Sequence, residues 1–114
     1  MNNCAIELLK FGSKAVLLKG GHLLVDKNGE NKIIYDILVS QDNPTPIVFE
    51  NTRIFTDNVH GTGCTLSAAI ATLLTKEKTL ETAVAKAEEY IHKAIIAGSN
   101  MKLGKGSGPL WHFV

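Results

Sequence analysis

The sequence predicts an α/β fold, read as half of a three-layer α/β/α sandwich. Three observations lead there. The short apolar run Lys14–Lys19 (KAVLLK) is bounded by Gly12 and by Gly20-Gly21, as expected of a buried strand in a parallel sheet. From Thr62 the pattern turns helical, with Leu66, Ala69, Ile70, Leu73 and Leu74 on one face. A second helical stripe follows in Ala83, Val84, Ala87, Ile91, Ala94 and Ile95. No strand pattern separates or follows these two helices. The expected sheet is therefore lopsided, completed by something outside this chain.

The remaining elements follow in order. Asn3–Phe11 sets Cys4, Ile6, Leu8, Leu9 and Phe11 against Glu7 and Lys10, which predicts a short helix ended by Gly12. Leu23–Val25 extends past the glycine pair as a short strand, and Asn28-Gly29 marks a turn. Ile33–Val39 (IIYDILV) predicts a strand, Gln41–Pro46 a loop with two prolines, and Ile47–Phe55 an extended segment. Together these suggest an antiparallel extension of an otherwise parallel sheet. Lys76–Lys78 ends the first long helix, Thr79 is placed to cap the second, and Gly98 to terminate it. The tail 102–114 begins as a glycine-rich stretch, mobile by composition, and closes on Leu110, Trp111, Phe113 and Val114. Residues 1–114 are read as one partial domain.

Composition narrows the function classes. A net charge of +1, from basic residues scattered along the chain, gives no electrostatic case for nucleic acid or an anionic membrane. The two cysteines, Cys4 and Cys64, suit a reducing cytosol better than a disulfide scaffold, and without CxxC or paired-histidine spacing no structural zinc site is expected. No apolar stretch approaches bilayer length, and Met1–Phe11 lacks the form of a signal peptide. Cytoplasmic residence is the expectation.

The chemistry concentrates in His60-Gly61-Thr62-Gly63-Cys64-Thr65, immediately before the first long helix. Glycines there let the backbone turn tightly and present N–H groups to an anion, where the helix dipole adds partial positive charge. Cys64 stands where a thiolate is stabilised by the same field, which suits a general base rather than a buried hydrophobe. Cys4, inside an apolar helix face, reads as core. Lys19 ends the first strand, on the side where open α/β sheets bind ligands. It is either a point charge for phosphate oxygens or a solvated strand end, and the spacing leaves both open. Thr62 and Thr65 offer hydroxyls to a phosphate or act as caps. His22 and His60 shape their turns through backbone hydrogen bonds, Asp57 and Asn58 belong to the turn before the motif, and His92 and His112 have no constellation.

The pieces VLLKGGHL (Val16–Leu23), NVHGTGCTLSAAIATLL (Asn58–Leu74) and the alanine-rich Ala83–Ala97 resemble, in order and spacing, the C-terminal half of the hydroxymethylpyrimidine/phosphomethylpyrimidine kinases of the ribokinase-like superfamily. Val59 stands where that family usually has threonine, and Gly104–His112 looks like its C-terminal end. The resemblance implies the C-terminal part of a ribokinase-like α/β/α sandwich. It also implies transfer of the ATP γ-phosphoryl group to hydroxymethylpyrimidine and its monophosphate in thiamine biosynthesis. Cys64 would then be the catalytic base, in a position where most ribokinase-like kinases have aspartate. Gly61, Thr62, Gly63 and Cys64 would supply the anion-hole amides, and Lys19 would meet the ATP phosphates. Magnesium would accompany the nucleotide, with no metal ligands assigned to this chain.

Family kinases are about twice this long, and their N-terminal half carries most of the pyrimidine pocket. Little kinase activity is therefore expected of this polypeptide alone, and pairing with a missing N-terminal half, or homo-oligomerisation, is expected. Two alternatives stay open. Some pyridoxal kinases share the HGTGCT signature, so pyridoxal is a competing acceptor. A non-catalytic fragment that self-associates through an unmatched sheet edge is the other.

Overall fold

The computed structural model describes residues 2–20, 33–43, 45–54 and 56–114. The chain forms two compact units, Met1–Arg53 and Ile54–Val114. The expected strand at Leu23–Val25, the Asn28-Gly29 turn and His22 lie outside the described residues.

The first unit holds helix α1 (Asn2–Leu9) and strands β1 (Ala15–Leu18), β2 (Ile33–Ser40) and β3 (Ile47–Thr52). Gly12, with its N–H on the Leu9 carbonyl at 3.1 Å, follows the end of α1 as expected. The buried face of α1 differs from the sequence reading. Ala5 is fully buried and Leu9 packs beside it, while Cys4 is exposed. A helix this short presents one i, i+4 pair to its neighbour, and Ala5–Leu9 is that pair.

The sheet order is β1-β2-β3, with both pairings antiparallel. β1 aligns Ala15 with Ser40 and Leu18 with Ile37, and all its residues are only half-buried. The buried parallel strand expected at KAVLLK is thus, among the described residues, a half-buried antiparallel one. A parallel return needs a crossover of a dozen or more residues, usually helical. The polar DKNGENK stretch that follows β1 carries no apolar helical repeat. The antiparallel extension through β2 and β3 is as expected.

Along β2 the side chains alternate between faces. Ile37 and Val39 share a core with Ala5, ringed by Leu9, Val16 and Leu18. On the opposite face of β2, Leu38 and Asp36 are buried as well, Asp36 at 1% exposure.

The second unit holds α2 (Thr62–Leu74) and α3 (Leu80–Gly98), packed on each other. α2 buries Leu66 and half-buries Ala69, Ile70 and Leu73, while Leu74 at its end is exposed. α3 buries Ala83, Val84, Ala87, Ile91 and Ala94. Thr79 caps α3 from an extended conformation, its hydroxyl accepting the Thr82 N–H at 3.2 Å. Thr79→Ala is expected to cost about 1 kcal/mol, measured as a lowered midpoint in urea, whereas Thr79→Ser stays close to the unsubstituted chain.

Gly98 acts differently from the expected helix stop. It is the last residue of α3, and Ser99 caps the helix in a right-handed conformation. A Cβ on Gly98 would sit 2.8 Å from the Pro109 carbonyl oxygen and 3.0 Å from the Trp111 nitrogen. Glycine is there so that the C-terminal segment can approach the helix. That segment is docked from Gly108 onward: Trp111 N–H donates to the Ala94 carbonyl at 3.1 Å, and Leu110 is 2% exposed. Among the described residues no helix is long and apolar enough to cross a membrane.

Candidate functional site

The turn before α2 is built by Gly61 and held by Asn58. Gly61 has φ 84° and ψ 8°, the left-handed region that a side chain disfavours. It is the N-cap of α2 without a side-chain hydrogen bond. Asn58, buried to 8% exposure, donates its amide to the Gly98 carbonyl at 2.7 Å and the Met101 carbonyl at 2.5 Å. Its side chain also fills the space where Gly108 would otherwise carry a Cβ. The His60 N–H donates to the Gly108 carbonyl at 3.1 Å, and His60 forms a parallel bridge with Pro109. It is the backbone of His60 that shapes the turn.

The first-turn donors of a helix need partners outside it. The Thr62 N–H reaches the Val59 carbonyl at 3.2 Å and the Thr65 N–H reaches the Gly61 carbonyl at 2.8 Å. Among the described residues, the N–H groups of Gly61, Gly63 and Cys64 have no partner. The expected four-amide hole thus contains three free donors, since the Thr62 amide is engaged. Cys64 is an exposed thiol at the same point.

Neither threonine hydroxyl is free. Thr62 Oγ1 donates to the Val59 carbonyl at 2.6 Å, and Thr65 Oγ1 lies 3.0 Å from His112 Nε2. His112, without a constellation in the sequence, stands beside the motif. Its carbonyl accepts the Tyr90 hydroxyl at 2.7 Å. A cavity of 630 Å³ opens here, lined by Cys64, Thr65, Ala68, Ala69, Thr72, Leu73, Lys86, Tyr90 and His112. Lys86 at its edge is paired with Glu77. Only the GPLWH ending after the glycine run pointed toward His112, and periodicity could not say what it reaches.

Lys19 belongs to the first unit, where it forms an ion pair with Asp36. The other Asp36 oxygen accepts the Gly20 N–H at 2.8 Å. Asp36 thus fixes both Lys19 and the glycine after it, a role that the apolar IIYDILV run concealed. Among the described residues no group of three or more His, Cys, Asp or Glu side chains could hold a metal ion.

A family model described as phosphomethylpyrimidine kinase matches residues 1–111. The hydroxymethylpyrimidine/phosphomethylpyrimidine kinase of Rhizobium meliloti is 43% identical over 109 residues, covering 96% of this chain and 38% of that protein. The enzyme of the same description from Salmonella typhimurium is 38% identical over 106 residues, covering 93% of this chain and 37% of its own length. The chain therefore spans well under half of these relatives. Among solved structures, the pyridoxal kinase of Bacillus subtilis in its ADP complex superposes with a TM-score of 0.80 at 30% identity, covering 96% of this chain and 39% of that one. The Staphylococcus aureus pyridoxal kinase bound to AMP-PCP and pyridoxal gives 0.80 at 26% identity, covering 98% and 38%. The fold is the ribokinase-like α/β fold, represented here by its C-terminal part.

Proposed function

Because the chain belongs to the phosphomethylpyrimidine kinase family, we propose that it carries the phosphoryl-transfer end of an ATP-dependent kinase for hydroxymethylpyrimidine and its monophosphate in thiamine biosynthesis. The observation that carries this reading is the exposed Cys64 thiol at the head of α2, beside the free N–H groups of Gly61, Gly63 and Cys64. Those donors face negative charge that develops on the transferred group, and stabilising that charge is the main way such a site speeds the reaction. Cys64, acting as general base, takes the proton of the acceptor hydroxyl. The hydroxyl oxygen bonds to the γ-phosphorus as the bond to the bridging oxygen breaks, and ADP leaves.

Lys19, oriented by Asp36, serves the nucleotide phosphates in this reading. The cavity beside Cys64 is of a size that suits a small heterocycle. Mg²⁺ enters as the counter-ion of the triphosphate. Residues 1–114 act as one partial domain, in the cytoplasm, and the other part of the substrate site corresponds to the stretch of the relatives that this chain does not span.

Sequence supports the pyrimidine as acceptor: the Rhizobium and Salmonella pyrimidine kinases are 38–43% identical to this chain, the two pyridoxal kinases 26–30%. The superposition on pyridoxal kinases keeps pyridoxal as the second acceptor to test. The experiment grafts this chain in place of the matching part of the Rhizobium relative and, separately, of the Bacillus subtilis pyridoxal kinase, so that neither host alone sets the acceptor, and follows ADP release. Turnover of hydroxymethylpyrimidine well above pyridoxal is expected. Preference for pyridoxal moves the assignment, and a folded graft inactive on both overturns it. The isolated chain is expected to show little turnover, and full activity from it would contradict the shared-site reading.

A further inference from the structure

We propose that His112 is a positioning residue of the anion hole: its ring holds the Thr65 hydroxyl away from the backbone and so keeps the first turn of α2 closed. This inference rests on the anion-hole reading of the turn.

Other hydroxyls of the same helix take a different partner. Ser67 Oγ donates to the Gly63 carbonyl at 3.0 Å and Thr72 Oγ1 to the Ala68 carbonyl at 2.9 Å, each four residues back. Such back-bonding is the ordinary local option for Ser and Thr within a helix, and it loosens the backbone bond to the same acceptor. For Thr65 the acceptor four residues back is the Gly61 carbonyl, which already takes the Thr65 N–H at 2.8 Å. That bond closes the turn containing Gly63 and Cys64. Thr65 Oγ1 is directed instead to His112 Nε2 at 3.0 Å.

The ring is placed to do this. Tyr90 Oη donates to the His112 carbonyl at 2.7 Å, Trp111 N–H is tied to Ala94, and Gly108 accepts the His60 N–H. The segment Gly108–His112 therefore grips the chain both before the turn and inside its first helical residues. Without the imidazole, the Thr65 hydroxyl competes for the Gly61 carbonyl and the N–H groups of Gly63 and Cys64 lose their fixed direction.

The test uses the 114-residue chain and amide hydrogen exchange followed by NMR. In His112→Ala, exchange of the Thr65 N–H is expected to rise about tenfold relative to that of buried Ala87, the scale of one net hydrogen bond. His112→Gln, whose amide can give or accept at the Nε2 position, restores it. Inorganic phosphate titrated into the same samples reads the hole at the Gly63 and Cys64 amides. Its Kd is expected to rise about tenfold in His112→Ala, and not in His112→Gln or in Thr65→Val, which has no hydroxyl to compete for the Gly61 carbonyl. Unchanged Thr65 exchange in folded His112→Ala, or His112→Gln as fast as His112→Ala, overturns the proposal. Should His112→Ala not fold, phosphate affinity weakened about tenfold in Thr65→Val, where no hydroxyl is left to compete, overturns it. If the unsubstituted chain binds no phosphate, the anion-hole reading fails, while the exchange comparison still decides the role of His112.

Discussion

Replacing Cys64 by alanine in the grafted enzyme is expected to lower kcat by about a hundredfold or more, the usual contribution of a positioned general base. The acceptor KM stays within about threefold, because a base lost only in the transition state acts on kcat. Cys64 is exposed at the head of α2, so its truncation opens no core cavity and the melting temperature is expected to hold. Cys64→Asp is expected to retain more activity than Cys64→Ala, since a carboxylate can accept the same proton and most ribokinase-like kinases carry aspartate there. Rates are read from ADP release under saturating nucleotide. Equal turnover by the alanine variant and the unsubstituted graft would remove the thiol from the mechanism.

The second large effect falls far from the thiol in sequence. Gly98→Ala is expected to destabilise the second unit by about 1–3 kcal/mol, the cost of forcing atoms into an already filled contact. Helix propensity alone argues the opposite sign, since alanine is favoured over glycine inside a helix by about 1 kcal/mol. The contact decides, because the atoms that a Cβ meets are backbone: the Pro109 oxygen at 2.8 Å and the Trp111 nitrogen at 3.0 Å. Backbone cannot swing aside as a side-chain end can. Relief requires Pro109–Trp111 to leave α3, breaking the Trp111–Ala94 hydrogen bond and exposing Leu110. Trp111, in edge contact with Phe113 at a centroid distance of 5.3 Å, reports the change through its fluorescence. A Gly98→Ala chain that melts higher, with unaltered Trp111 emission, would show that the close approach has slack.

The contrast between these two positions shows what a sequence carries. The apolar period of α2 and α3, the Thr79 cap and the glycine turn before Cys64 are local properties, and each is found where the pattern predicts it. Strand direction is not local. KAVLLK has the same composition whichever way its neighbour runs, and only the lack of a crossover pattern before β2 distinguishes the cases. Asp36 lies inside an apolar run and reads as an interruption until Lys19 and Gly20 are seen to converge on it. Cys4 and Ala5 differ by about 100° around a two-turn helix, too little pattern for the stripe to choose between them. His112 and Asn58 act through partners about forty residues or more away, and no spacing rule reaches that far. The turn before α2 is therefore visible as a motif, whereas the residues that hold it in shape emerge only in three dimensions.

The two hydrogen-bonded posts at the start of the tail have an evolutionary consequence. Met101 is held by the Asn58 amide and Gly108 by the His60 N–H, and residues 102–107 between them are exposed. The span is a closed loop whose ends are fixed independently of its length. Loop-closure entropy grows only logarithmically, by about 0.6 kcal/mol for each doubling, so drift in the number of residues there is cheap. One residue gained or lost between Gly108 and Trp111 is different: it would shift Leu110 out of its buried seat and His112 away from Thr65. Length variation among homologues should thus collect in the glycine run and stop abruptly at Gly108.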